Sequence, residues 1–269
     1  MIGENQMPKR FRDVIDDELL IFPKPVSITE RNALPPTHLI PIESPSDWIK
    51  VRDVICVFVD MKGSTKLSAT TAEKSTASVY RLFTSTAVRL FHEFDAPYID
   101  VKGDGAFALF NADQPYRALG AAVTFKTFAQ EVFVPKAKAK TGEDVGYHIG
   151  IDQKTILVRK IGLKMVNDRT DRQNEVWAGK TVNMAAKLAS FADSALMASD
   201  RFYENLTDWK ATHSCGCGAN GTAQPLWEEV DVTDNELFDF DTAHRLGSVW
   251  CKTHGKEYCE DLLRLDAGA

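Results

Sequence analysis

Residues 54–65 read VICVFVDMKGST: six apolar residues, an aspartate, then a turn containing glycine. An unbroken apolar run of that length, closed by a turn signal, predicts a strand buried on both faces. Asp60 stands where this strand leaves the core, and burial there disfavours a carboxylate charge unless a cation compensates it. The next residues, Met61, Lys62, Gly63, Ser64 and Thr65, lead into a helical pattern over about 68–94. Free N–H groups at a helix start suit phosphate oxygens. An aspartate in this position also serves as a plain helix cap, so Asp60 alone decides nothing.

Residues 98–110, YIDVKGDGAFALF, repeat the arrangement with a strand pair turning at Gly103-Asp104-Gly105. Asp-Gly is itself a hairpin signal, so Asp104 taken singly marks a turn. The wider pattern gives the pair its meaning. A strand over 53–61, the helix over 68–94 and the hairpin are followed by a helix over 113–132, with Leu119, Val123 and Phe128 among its apolar positions. Strands over 145–152 and 155–160, a polar loop DRTDRQNE and a helix over 180–191 complete the series. This order predicts an α+β, ferredoxin-like fold with helices packed on one face of an antiparallel sheet. In such a sheet the first strand and the hairpin are neighbours, which brings Asp60 and Asp104 to one edge. Paired carboxylates on rigid backbone, beside glycines that let a phosphate approach closely, suit divalent metal and polyphosphate.

The helix over 180–191 lies within EVWAGKTVNMAAKLASFA (175–192), where Asn183 and Lys187 are four residues apart and share a face. They read either as a polar clamp or as a solvated pair on an amphipathic helix.

With 269 residues and 44% hydrophobic composition the chain can bury one large core and a smaller appendage. Its net charge is −6 and no basic stripe follows a predicted helix, so a nucleic-acid partner is not expected. The basic cluster PKAKAK (135–140) reads as a solvated loop. No apolar run is long enough to cross a bilayer and MIGENQMPKRFRD does not look like a signal peptide, so the expectation is a soluble cytoplasmic protein without a membrane partner. Three segments are expected: an N-terminal arm over 1–48, holding the amphipathic stretch FRDVIDDELLIF and a proline-punctuated run; the αβ domain over 49–206; and a cysteine-rich C-terminal module over 207–269.

FVDMKGST, KGDGAFALF and WAGKTVNMAAKLA together resemble the class III nucleotidyl cyclase catalytic domain, over about residues 50–206. The resemblance implies a nucleoside triphosphate substrate and two Mg²⁺ or Mn²⁺ ions per active site, held by Asp60, Asp104 and the Met61 carbonyl. Lys62, Gly63, Ser64 and Thr65 would then border the phosphates, Asn183 would orient the ribose, and Lys187 falls where the family usually has an arginine on the reacting phosphate. Lysine keeps the charge and loses the planar fork. The family builds its sites between two catalytic domains, which implies a homodimer here.

Purine cyclases of the family commonly carry a lysine four residues before the second metal aspartate and an aspartate or threonine seven before the asparagine. Asp100 and Val176 occupy those positions. A carboxylate cannot donate to a purine ring nitrogen and valine cannot accept from an exocyclic amine. In this the chain is similar to the pyrimidine cyclases of bacterial Pycsar antiphage systems, which make cyclic UMP or cyclic CMP. Asp100 could accept from uracil N3–H or from the cytosine amino group; UTP is favoured over CTP by overall resemblance to uridylate-type members. Tyr98, Lys102 and Trp177 lie close in sequence. A purine cyclase with an altered pocket and an inactive cyclase-like binding module are the other readings.

Four of the five cysteines fall in the last quarter. Cys215-x-Cys217 and Cys251-x-x-His254, with Cys259 close behind, offer soft ligands for a structural zinc, or else free thiols packed around Trp227 and Trp250. Cys56 belongs to the buried strand.

Overall fold

The computed structural model describes residues 6–42, 44, 46–163, 172–218 and 221–266. Helix α1 (Lys9–Ile21) opens the chain and buries none of its side chains. Strand β1 (Ser27–Arg31) runs parallel to the start of β2 (Asp47–Lys62). Helices α2 (Ser64–Thr70) and α3 (Glu73–Glu93) follow, then β3 (Tyr98–Lys102), β4 (Gly105–Phe110) and α4 (Pro115–Phe128). One π turn (Ala129–Phe133) joins α4 to α5 (Val134–Thr141), which leads to β5 (Gly146–Gly162) and β6 (Gln173–Ala178). The chain ends through α6 (Thr181–Phe191), β7 (Leu196–Ser199), the short α7 (Asp200–Tyr203) and α8 (Trp209–Thr212), then β8 (Trp227–Asp231), β9 (Thr242–Leu246) and α9 (Gly255–Asp266).

One mixed sheet runs β3-β4-β2-β5-β7-β9-β8, with β1 beside β2 and β6 beside β5. Pairing is antiparallel except for β1 with β2 and β5 with β7. Alternation along β2 divides its side chains between the two faces. Ile55, Val57, Val59 and Met61 join the main core under α3 and α4 with Phe83, Phe91, Phe110 and Phe125. Val54 and Cys56 join a second cluster on the opposite face, which takes Ala185 from α6. The expectation of helices on one face is corrected: apolar residues alternate to both sides of β2, so α3 and α4 cover one face and α6 the other.

The segment after residue 206 continues the same sheet through β8 and β9, and β9 and α9 add Leu246 and Leu262 to the main core. Three local expectations are corrected. The stretch expected as two strands is the single strand β5, because its polar centre is satisfied internally: Asp152 by Arg201 and Gln153 by the Asp53 carbonyl and Asn205. PKAKAK is helical, forming most of α5, since alanine and lysine favour helix and Pro135 occupies the first turn. Of DRTDRQNE, residues 173–175 belong to strand β6, and 168–171 lie outside the described residues.

Candidate active site

Asp60 occupies β2 near its end, on the α6 side of the sheet, directly across from His148 on β5. On its other flank β2 pairs with β4, which begins at Gly105, the residue after Asp104. A Cβ at Gly105 would stand 2.8 Å from Asp60 Oδ1 and 2.9 Å from the Val59 carbonyl oxygen. Only glycine lets the Asp60 carboxylate lie across the start of β4, against the turn that carries Asp104. Burial raises the Asp60 carboxyl above its ordinary range, the Asp104 charge raises it further, and His148 opposes both. Among the described residues neither aspartate has a salt-bridge partner. Two carboxylates whose charges oppose each other, and that have no salt-bridge partner among the described residues, fit a divalent-metal site.

The chain leaves β2 through Gly63, whose φ of +84° favours glycine and whose Cβ would stand 3.1 Å from the Asp144 carbonyl. The first helical bond of α2 is Leu67 N–H to the Gly63 carbonyl (3.0 Å), so the N–H groups of Ser64, Thr65 and Lys66 have no intrahelical acceptor. Lys66 (2.8 Å) and Thr70 (2.9 Å) hold Glu143, clamping α2 to the loop before β5. The Met61 side chain is buried in the core, and its backbone lies across from Tyr147 in the β2–β5 ladder. Lys62 pairs with Asp193 beyond α6, so its ammonium group is engaged.

Helix α6 lies directly on β5: a Cβ at Gly150 would stand 1.9 Å from the Ala185 carbonyl oxygen. Asn183 is exposed on this helix, and its side-chain amide has no hydrogen-bond partner among the described residues. Lys187 Nζ donates to the Leu237 carbonyl (2.8 Å). That carbonyl belongs to a loop fixed by Asp239, which accepts from Lys154 (2.5 Å), Lys180 (3.1 Å) and Arg201 (3.1 Å). Although burial opposes it, these three cations hold the Asp239 carboxyl well below the usual range. Arg201 also forms a fork on the fully buried Asp152, at 2.8 and 2.7 Å.

Asp100, Tyr98 and Lys102 share the α6 side of β3, since Tyr98 pairs with Leu109 and Asp100 with Phe107 of the second cluster. Lys102 Nζ lies 2.6 Å from Asp100 Oδ2. Trp177 meets Tyr98 with ring centroids 4.6 Å apart. Val176 precedes Trp177 on β6 and so faces the other side, exposed; the structure groups Asp100 with Tyr98, Lys102 and Trp177, and leaves Val176 outside this group. His148 and the Arg201, Asp152 and Asp239 network were not picked out from sequence. Polar residues alternating with apolar ones in GYHIGID were the only signal for His148.

At the far side of the sheet Cys215, Cys217, Cys251 and His254 converge, their ligand atoms all within 4.8 Å of one another. Cys259 is not among them: it lies in α9 against the main core.

A protein named uridylate cyclase from Propioniciclava tarda is 38% identical over 245 residues, which span 89% of this chain and 78% of the relative. The chain belongs to the uridylate cyclase family of class III nucleotidyl cyclases. A second such protein, from Micromonospora echinofusca, is 36% identical over 83% of this chain and 73% of the relative. The family fold extends to the adenylyl cyclase CyaB of P. aeruginosa, with a TM-score of 0.56 at 14% identity over 75% of this chain and 96% of that one. No protein-family model matches the chain. The α+β cyclase fold expected from FVDMKGST and KGDGAFALF is the fold observed. No described helix is long and apolar enough to cross a membrane.

Proposed function

We propose that this chain converts UTP to 3′,5′-cyclic UMP and pyrophosphate, acting as a homodimer whose product serves as a signal in antiphage defence. The observation that carries the reading is the approach of the Asp60 carboxylate across Gly105 to the Asp104 turn, in a chain whose relatives are named uridylate cyclases. The defence role rests on the resemblance to Pycsar cyclases.

The ribose 3′-oxygen forms its bond to the α-phosphorus as the bond to the β-phosphate oxygen breaks, releasing pyrophosphate and the hydroxyl proton. Asp60, Asp104 and the Met61 carbonyl would hold two Mg²⁺ or Mn²⁺ ions, which when bound acidify the 3′-hydroxyl and neutralise charge on the leaving group. The open N–H groups of Ser64 and Thr65, after Gly63 and Lys62, donate to phosphate oxygens. Asn183 and Lys187 of a second copy complete the site, Asn183 orienting the ribose. Lys187 supplies its charge to the α-phosphate by exchanging the Leu237 carbonyl for the substrate. Exposed Ile161, Leu163 and Val176 on the β5–β6 arm give apolar surface for dimerisation. The catalytic unit is residues 49–206, with 1–48 as an arm.

Asp100 accepts from uracil N3–H, and the Tyr98 and Trp177 rings flank it. The same carboxylate accepts from a cytosine amino group, so CTP is the second substrate to compare. Purified protein supplied with Mn²⁺ and each nucleotide separately should give cyclic UMP as the dominant product. Dominant cyclic AMP would refute a pyrimidine pocket, and no product from any nucleotide would mark an inactive binding module.

A further inference from the structure

We propose that Cys215, Cys217, Cys251 and His254 bind one structural zinc ion that ties the C-terminal segment to the catalytic sheet. Three thiols and one imidazole are the donor set of a closed tetrahedral zinc site, and with four protein ligands no position remains for water or substrate. Ligand sulfurs about 2.3 Å from a tetrahedral ion stand about 3.8 Å apart. The four donors already lie within 4.8 Å of one another, so the cluster contracts by only about 1 Å at its widest.

The local backbone is shaped for this convergence. Gly216 has φ +78°, a left-handed turn that folds Cys215 and Cys217 back on each other, and its Cβ would stand 3.2 Å from the Ala223 nitrogen and the Gly221 carbonyl. The second pair closes through Gly255 N–H to the Cys251 carbonyl (2.7 Å), while Thr253 N–H points at Cys251 Sγ (3.4 Å). A backbone donor aimed at sulfur stabilises a thiolate, the form that ligates metal. Cys217 Sγ and His254 Nδ1 stand 3.0 Å apart, joining two loops separated by 37 residues.

The cluster has a clear mechanical consequence. Trp250, next to Cys251, donates its backbone N–H to Thr127 (3.1 Å) and its indole N–H to Thr124 (2.8 Å), both on α4. The buried Lys126 of the same helix donates to the carbonyls of Gly247 (2.5 Å) and Ser248 (3.1 Å). Beneath the cysteines lies a cavity of about 500 Å³ lined by Leu119, Val123, Leu226, Trp250, Tyr258 and Leu262, so side-chain packing alone leaves this corner open. An ion crosslinking the two loops supplies the closure that the apolar contacts do not. Cys259 serves as an internal control, because it sits on α9 outside the cluster.

The test is metal content by plasma mass spectrometry on full-length protein purified without chelator or added metal. The expected result is one zinc per chain in wild type and in Cys259→Ser, with zinc lost from Cys217→Ser and His254→Ala. Replacing zinc by Co²⁺ should give the intense visible bands of tetrahedral thiolate coordination, and these should vanish in Cys251→Ser. Zinc near zero in wild type, together with no cobalt spectrum after reconstitution, overturns the site. So does equal loss of zinc from Cys259→Ser. Alkylation and mass analysis showing a Cys215–Cys251 disulfide in freshly purified protein overturns it as well.

Discussion

Asp60 illustrates how a buried carboxylate burdens the fold that presents it. Its folded-state pKa lies above the ordinary value of 3.8 because burial and Asp104 disfavour the charge. Between the two values the folded chain keeps a proton that the unfolded chain has lost, so metal-free stability falls as pH rises through that window. Asp60→Asn removes this loss. We expect the variant to be inactive, to melt above wild type at neutral pH in EDTA, and to match wild type as the pH falls and Asp60 protonates. Mn²⁺ should raise the melting temperature of wild type and leave the variant unmoved; an equal metal response in both contradicts the assignment of Asp60. Arg201 carries the opposite expectation. Removing it strands the fully buried Asp152, and breaking such a pair typically costs about 3–5 kcal/mol. Urea titration of Arg201→Met should show a loss of that size, whereas a loss below about 1 kcal/mol, the scale of an exposed pair, would mean that Asp152 is satisfied elsewhere.

At the level of elements, α6 depends on one missing methyl group. Gly150→Ala places a Cβ 1.9 Å from the Ala185 carbonyl, and rigid backbone cannot yield that space without moving the helix. Because α6 carries Asn183 and Lys187, the variant should lose about 10²-fold or more in kcat even where it stays folded by circular dichroism, since displacements near 1 Å cost that much in a positioned site. Near wild-type turnover would show that α6 does not set the active geometry. Much of this layer was readable in the sequence: the apolar run of β2, the Gly-Asp-Gly turn and the amphipathic α6 each follow from local pattern. What was not readable depends on distant partners. The polar centre of β5 looks like a break until Arg201, 49 residues on, is seen to satisfy Asp152. The interruption between α2 and α3 at Thr71-Ala72 carries no glycine or proline to announce it. The family resemblance placed the second base-contacting position at Val176, while strand alternation puts its neighbour Trp177 against Tyr98. Cys259 follows His254 closely in sequence, yet α9 carries it into the core.

For the whole molecule, the proposed dimer makes two half-sites interdependent. Asp60→Ala and Asn183→Ala should each be inactive alone. Mixed one to one and allowed to exchange, half of the dimers are heterodimers with one intact site of two, giving about a quarter of wild-type activity. Absence of any recovery, once exchange is verified by native mass spectrometry, would place both residues in one subunit's site. The proposed reaction requires that Asp60 and Asp104 jointly hold divalent cations against a triphosphate. A crystal structure with Mn²⁺ and a UTP analogue whose 3′-hydroxyl is absent tests it most directly. The expected result is manganese anomalous peaks between the two carboxylates, in contact with the phosphates; ions elsewhere, or a triphosphate bound away from Asp60 and Asp104, would rule out metal-assisted catalysis at this site.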